Sequence, residues 1–199
     1  MMHGNHPMMP IILAAFLLLG VFLAQDITGI VPGFLSGGLL VFLPGEGEIR
    51  RVETALRGRL AERFDIRPLF GAMEFAAQRA ALAPATTGRR KVVLATSIAE
   101  TSLTIPDILV VVDGGRARRA RFDAPSGMSR LVTERVTRAE AEQRRGRAGR
   151  VAPGTCYRLW TRGEEGGLAV GLAEHDGAGT AVAFAAAFLG AGAGQVLAQ

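Results

Sequence analysis

Residues 143–150 read QRRGRAGR, a stretch in which four arginines and two glycines fill six of eight positions. On a helix, Gln143, Arg147 and Arg150 are spaced i, i+4 and i+7, which places them on one face. Each glycine inside a helix costs about 1 kcal/mol relative to alanine, so two of them together indicate that something passes close to this backbone. Dense positive charge at such a place points to a polyanionic ligand.

The positive charge of the chain is concentrated in its middle. The 199 residues contain 23 Lys and Arg against 18 Asp and Glu, for a net charge of +5, and every cation lies between Arg50 and Arg162. The length suits one domain, alone or with tails. A basic central domain predicts a polyanionic partner such as a nucleic acid or a nucleotide.

Cysteine and histidine are too sparse for a disulfide or a thiolate metal site. Cys156 is the only cysteine, and the three histidines, His3, His6 and His175, have no ligand spacing to it. This excludes an intrachain disulfide and a cysteine-based zinc site. Cys156 is expected to be a small buried residue in a reducing compartment, and we predict no metal ligands in the chain itself.

Two flanking regions differ from the middle. Residues 1–37 contain the apolar run IILAAFLLLGVFLA (11–24), which is short for a membrane span and lacks the preceding positive charge of a signal peptide. A signal or anchor, an incorrectly assigned start and a buried apolar segment all stay open. Residues 167–199 are rich in glycine and alanine, and we expect a poorly ordered tail or a frame-shifted end.

The middle of the chain alternates between short apolar runs and amphipathic runs, as α/β domains do. We predict strands at 39–44, 65–70, 91–97, 107–115 and 154–160, helices at 46–64, 74–84 and across QRRGRAGR, and extended segments at 116–123 and 128–136. The fourth strand, DILVVVDGG, is too continuously apolar to have one face in water. This predicts a parallel sheet that is covered by helices on both faces.

Groups that could bind phosphate follow three of the predicted strands. Gly45 follows the first strand, Thr96 and Ser97 end the third, and Asp113 ends the fourth. Ligands of open α/β sheets bind beyond the carboxyl ends of the strands, and the QRRGRAGR helix could face the same edge. Hydroxyls, glycine backbone and arginines on one rim would suit the phosphates of a nucleotide or a nucleic acid.

Two blocks of sequence together resemble a known family. ATSIAETSLTIPDILVVVDGG (95–115), followed by AEQRRGRAGR (141–150), is similar to motifs V and VI of the DEAH-box superfamily 2 RNA helicases, among them the bacterial HrpB-type ATP-dependent helicases. The resemblance covers residues 38–166. It implies a RecA-like fold, the helicase C-terminal domain of a two-domain motor that binds ATP in the cleft between its domains.

The resemblance implies roles at the nucleotide for six residues. Arg147 and Arg150 match the arginine-finger positions that reach the γ-phosphate, and Gln143 matches the glutamine that helps to place the attacking water. These are the same three residues that the helical spacing selects. Three further residues are expected to border the nucleotide: Thr104, Asp107 and Gly146.

Other residues are expected at the nucleic acid. By resemblance, Thr96 and Ser97 match positions that touch the RNA backbone, and Gly45 matches the corresponding contact in motif IV; Thr96 could instead only cap the turn after its strand. Arg144 lies off the helical stripe and is expected either to form a structural ion pair or to contact RNA. Glu100 and Asp113 are the candidate carboxylate partners for nearby arginines.

The chain also departs from the family. It contains no GxxxxGK[ST] loop and no DExH box, which belong to the first RecA-like domain and supply the phosphate cradle, the Mg²⁺ ligand and the catalytic acid. Phe70 stands where the family usually has histidine. The chain is therefore expected to hold half of an ATPase site, with the first RecA-like domain and single-stranded RNA as partners and ATP and Mg²⁺ as cofactors.

The prediction is a fragment, or the product of a truncated gene, of a cytoplasmic ATP-dependent RNA helicase, inactive as an isolated chain. One alternative is a non-catalytic nucleic-acid-binding module that keeps the basic rim. A membrane-anchored basic protein is a further alternative that depends on residues 11–24 alone, so membrane association is not expected.

Overall fold

The structure is a computed structural model, and it describes residues 37–60, 64–100, 105–125, 127–150 and 153–171. The apolar run 11–24, Thr104 and the segment from 172 onward lie outside the described residues. Within the described residues, no helix combines the length and the apolar character needed to cross a bilayer.

A five-stranded sheet forms the centre of the domain. Its strands are β1 (Gly38–Phe42), β2 (Phe64–Leu69), β3 (Arg90–Ala95), β4 (Ile108–Asp113) and β7 (Thr155–Arg158), in the spatial order β2-β3-β1-β4-β7. Every neighbouring pair in this sheet is parallel. The parallel sheet predicted from the apolar runs is thereby confirmed.

Helices cover both faces of the sheet, as predicted. They are α1 (Glu46–Leu60), α2 (Phe75–Leu82), α3 (Arg138–Arg145) and α4 (Arg162–Gly166). Alternate residues of β1 point to opposite faces: Leu39 and Val41 join the core that contains α1, whereas Leu40 and Phe42 join the core that contains Ala81 of α2. All four of these strand side chains are buried, which is why the strands read as continuous apolar runs.

Helix α3 is shorter than the sequence suggests. It begins at a capping box, in which the Thr137 hydroxyl accepts a hydrogen bond from the Glu140 amide and the Glu140 carboxylate accepts one from the Thr137 amide. It ends at Arg145, with Gly146 as its C-cap, and the next turn is closed by an i to i+3 bond from the Arg147 amide to the Arg144 carbonyl at 3.1 Å. The helix predicted across all of QRRGRAGR is wrong in its second half, because two glycines favour tight turns there.

A two-stranded antiparallel ribbon lies between β4 and α3. It consists of β5 (Arg116–Asp123) and β6 (Met128–Arg135), in agreement with the predicted extended segments. Gly115 opens the ribbon with a φ of 68°, and a Cβ at this position would lie 2.7 Å from the Trp160 ring. Both the backbone conformation and the close approach of Trp160 therefore require glycine.

Candidate nucleotide and nucleic-acid site

The residues predicted to contact nucleic acid meet at the carboxyl edge of the sheet. The Leu43 amide donates to the Ala95 carbonyl at 2.8 Å, which joins the ends of the adjacent strands β1 and β3 and brings Gly45 and Thr96 to the same edge. Thr96 is half-buried, and Ser97 is exposed at the start of a 3₁₀ turn that runs from Ser97 to Glu100. The predicted contacts with RNA backbone are therefore grouped as expected.

Gly45 lies beneath an arginine that the sequence did not single out for this site. A Cβ on Gly45 would be 2.9 Å from Nη1 of Arg118 and 3.1 Å from Oε2 of Glu48. Arg118, on β5, forms an ion pair of 3.6 Å with Glu48, on α1. A Cβ at this position would displace the end of the Arg118 side chain, which packs against the loop backbone. Arg118 also adds a partly exposed positive charge to this edge.

Arg144 forms a buried ion cluster with two carboxylates. Its side chain is 0% exposed, Nε donates to Oε1 of Glu100 at 2.7 Å, and Nη1 donates to Oδ1 of Asp113 at 2.7 Å. The guanidinium also stacks on the Phe42 ring, 4.7 Å from its centroid. The structural ion pair proposed for Arg144 is the role that the structure shows. Complete burial is at odds with the other predicted role, a contact with RNA.

Burial and charge pairing act in opposite directions on this cluster. Burial opposes the charge on Arg144, but the carboxylates of Asp113 and Glu100 outweigh it and raise the pKa of the guanidinium above its ordinary value. Burial also raises the pKa of Glu100, while Arg144 works in the opposite direction. Each carboxylate therefore depends on Arg144 for compensation. The expectation that Glu100 and Asp113 pair with arginines is confirmed.

The predicted arginine fingers occupy the turn after α3. Arg147 is 6% exposed and donates a hydrogen bond from Nη2 to the backbone carbonyl of Glu100. Arg150, Gln143 and Gly146 are exposed. Burial lowers the pKa of Arg147, and the positive charge of Arg150 lowers it further. The two guanidinium groups are thus close enough to repel each other, an arrangement that an anion would relieve.

The turn that carries these arginines packs against the residue before β7. The Ala148 carbonyl packs directly against Gly154, and a Cβ on Gly154 would be 2.6 Å from the carbonyl oxygen of Leu109, the second residue of β4. That all the phosphate-binding groups share one rim stays a prediction, since the Arg147 side chain reaches the Glu100 carbonyl. The backbone of the turn at Ala148 lies toward the amino end of β4. The physical reason is connectivity, since α3 must return to the amino end of β7 to continue a parallel sheet.

Asp107 is the predicted nucleotide neighbour on the same amino-terminal side. It immediately precedes β4, is exposed, and has a φ of 68°, a conformation that aspartate adopts more readily than most residues. Its backbone carbonyl accepts a hydrogen bond from the Gly38 amide. Asp107 thus lies at the opposite end of the sheet from Thr96 and Ser97, whereas Arg147 reaches the turn that begins at Ser97.

Comparisons with known proteins agree with this architecture. The model of the helicase conserved C-terminal domain matches residues 36–152. The ATP-dependent RNA helicase HrpB of Escherichia coli K12 is 53% identical over 124 residues, which are 62% of this chain and 15% of that protein. The human ATP-dependent DNA/RNA helicase DHX36 is 42% identical over 128 residues, which are 63% of this chain and 13% of that protein.

Solved structures give the same result. A crystal structure of the E. coli DExH-box NTPase HrpB superposes with a TM-score of 0.64 at 45% identity, covering 75% of this chain and 18% of that one. The chain thus spans less than a fifth of the relatives that it matches. With its RecA-like sheet and its matching sequence blocks, the chain belongs to the family of helicase conserved C-terminal domains, of the kind found in DEAH-box RNA helicases.

Proposed function

We propose that this chain is the C-terminal RecA-like half of an ATP-dependent RNA helicase motor, and that it acts in the cytoplasm with a first RecA-like domain. Its relatives are ATP-dependent helicases, and the domain supplies two distinct surfaces. One is the carboxyl edge with Gly45, Thr96 and Ser97, which binds the backbone of single-stranded RNA. The other is the turn with Arg147 and Arg150, which binds the γ-phosphate of ATP.

The observation that carries this proposal is the pair of arginines on the turn after α3. Arg147 and Arg150 are held close enough for the charge of one to lower the pKa of the other, and the exposed Gln143 precedes them on the helix. A γ-phosphate bound between the guanidinium groups of Arg147 and Arg150 would neutralise the repulsion between them. Arginines placed in this way stabilise charge on the phosphoryl group as it is transferred. Thr104, Asp107 and Gly146 are proposed to border the same nucleotide.

Binding of Mg²⁺ requires residues from elsewhere. Among the described residues, no group of three or more His, Cys, Asp and Glu side chains could hold a metal ion, and the 199 residues contain no Walker A or DExH sequence. We propose that the first RecA-like domain supplies the Mg²⁺ ligands and the phosphate cradle. The isolated chain is then expected to hydrolyse no ATP above background.

A hybrid helicase tests the proposal. Residues 38–166 of this chain replace the matching segment of HrpB from E. coli, and phosphate release is measured with and without single-stranded RNA. The proposal expects hydrolysis that RNA stimulates in the hybrid and no hydrolysis by the 199-residue chain alone. RNA-stimulated phosphate release by the chain alone would contradict the half-site proposal. A folded hybrid that binds RNA without hydrolysing ATP would favour a non-catalytic binding module.

A further inference from the structure

The buried cluster around Arg144 joins the two surfaces of the domain. On one side, Glu100 ends the 3₁₀ turn that begins after Thr96, and the Ala99 amide donates to the Thr96 carbonyl at 3.2 Å. On the other side, Arg144 is the last buried residue of α3. The Glu100 side chain pairs with Arg144 at 2.6 Å, so the turn on the nucleic-acid edge is fixed to the helix that immediately precedes the arginine fingers.

Glu100 is also the residue that holds Arg147. Its backbone carbonyl accepts the hydrogen bond from Nη2 of Arg147, while its carboxylate binds Arg144. One short turn therefore contacts both arginines, one through its side chain and one through its backbone. In this position Arg147 has almost no exposed surface, so the turn keeps its guanidinium from solvent.

Several hydrogen bonds link the groups of the cluster to one another and to the backbone. Asp113 is 0% exposed, and its Oδ1 binds both Arg144 and the Gly115 amide, the latter at 2.8 Å. Arg144 also donates to the Arg116 carbonyl at 3.3 Å. Separating Glu100 from Arg144 would leave charges buried without compensation, which favours one fixed arrangement of the Thr96–Glu100 turn when no RNA is bound.

We propose that Glu100 and Arg144 are positioning residues that form a latch: the Thr96–Glu100 turn retains Arg147 until RNA on Thr96 and Ser97 displaces the turn. The inference rests on the proposed function, because it assigns the cause of RNA stimulation within that motor. Glu100 and Arg144 are both buried, so they act through the residues that they hold. The latch makes Arg147 unavailable to the γ-phosphate in the absence of nucleic acid.

The test compares Glu100→Gln with the unmodified hybrid helicase. Glutamine keeps an oxygen for Arg144 but removes the charge, so the turn is held less firmly. We expect turnover without RNA to rise by about fivefold or more, as in a typical coupling between two sites, while turnover with saturating RNA stays unchanged. A purely structural role would lower both rates. The matched control is Glu142→Gln, which alters an exposed carboxylate on α3 that also pairs with arginine and should leave both rates unchanged.

A second measurement uses the 199-residue chain and does not depend on hydrolysis. Hydrogen–deuterium exchange is followed in peptides 96–100 and 143–150, with and without single-stranded RNA. In the wild-type chain, RNA should change the exchange of both peptides together. In Arg144→Lys, which keeps the charge but loses the paired geometry, RNA should change only peptide 96–100.

The outcomes separate the two proposals. A hybrid that RNA does not stimulate overturns the proposed function, and the latch with it. RNA stimulation with an unchanged basal rate in Glu100→Gln overturns the latch alone, as do basal and stimulated rates that fall together. If Glu100→Gln does not fold, the exchange experiment on wild type decides, since a response confined to peptide 96–100 also overturns the latch.

Discussion

Replacing Arg144 by methionine should remove a large part of the stability of this domain. Methionine fills a similar volume but leaves the carboxylates of Glu100 and Asp113 buried without a cation. Arg144 makes charged hydrogen bonds to both, at 2.7 Å each, and its side chain is 0% exposed. Breaking a buried ion pair by removal of one partner destabilises a protein by about 3–5 kcal/mol, against a total of roughly 5–15 kcal/mol for a domain.

The pH dependence of this loss gives a sharper test. Burial raises the pKa of Glu100, so the carboxyl group loses its proton more readily in the unfolded chain than in the folded one. Its ionisation therefore destabilises the fold as the pH rises above the ordinary value of about 4. Arg144 opposes this effect in the wild type. The free energy of unfolding that Arg144→Met loses relative to the wild type should therefore be smaller at pH 5 than at pH 7.

The assay is urea unfolding at both pH values, followed by the fluorescence of Trp160, which packs on the small core between the ribbon and α3. The control is Arg145→Met, one residue further along. Arg145 forms only a partly exposed ion pair with Glu142, so its loss should change the free energy of unfolding by less than about 1 kcal/mol. Equal losses for the two variants, or a deficit independent of pH, would refute the reasoning.

Three further predictions follow from other sites. In the hybrid helicase, Arg147→Ala or Arg150→Ala should lower turnover by on the order of 10³–10⁵ with little change in nucleotide affinity; turnover within about threefold of wild type, measured by phosphate release, would remove that residue from the proposed role. The 199-residue chain should bind two unrelated RNA oligomers about equally, because phosphate contacts carry no base information, and its affinity should fall by about 0.7 log units per log unit of salt for each phosphate neutralised; fluorescence anisotropy that shows a strong sequence preference or no salt dependence would contradict this. Cys156, whose pKa burial raises to about 12, should react slowly with a thiol reagent at pH 8 and rapidly in urea, and equal rates would place its thiolate at the surface.

Much of the fold was predictable because local patterns decide it. The valine-rich strand within DILVVVDGG has both faces buried, and such a run has only one common solution, a parallel sheet with helices on each side. The role of Arg144 was not decidable in the same way. Its partners Asp113 and Glu100 lie 31 and 44 residues earlier in the chain, and an arginine in a run of arginines gives no local signal of burial.

The end of helix α3 was mispredicted for a related reason. Helical spacing selects Gln143, Arg147 and Arg150 as one face of a helix. The helix ends at Arg145, so Arg147 and Arg150 do not share a helical face with Gln143. The selection of residues came from their spacing and their resemblance to motif VI, whereas their position depends on where β7 begins. No sequence pattern predicts the close packing of Gly154 against the Ala148 carbonyl.

The place of β1 in the sheet has a consequence for synthesis on the ribosome. Among the described strands this one is the first to emerge, yet it is the central one, and Leu39 pairs with both Val92 and Val110. The nascent chain must therefore carry an apolar strand with open edges until β3 and then β4 have been translated. Parallel pairing over such separations is slow and exposes the chain to aggregation. Chaperone binding to 38–43 during translation would protect the segment for this interval.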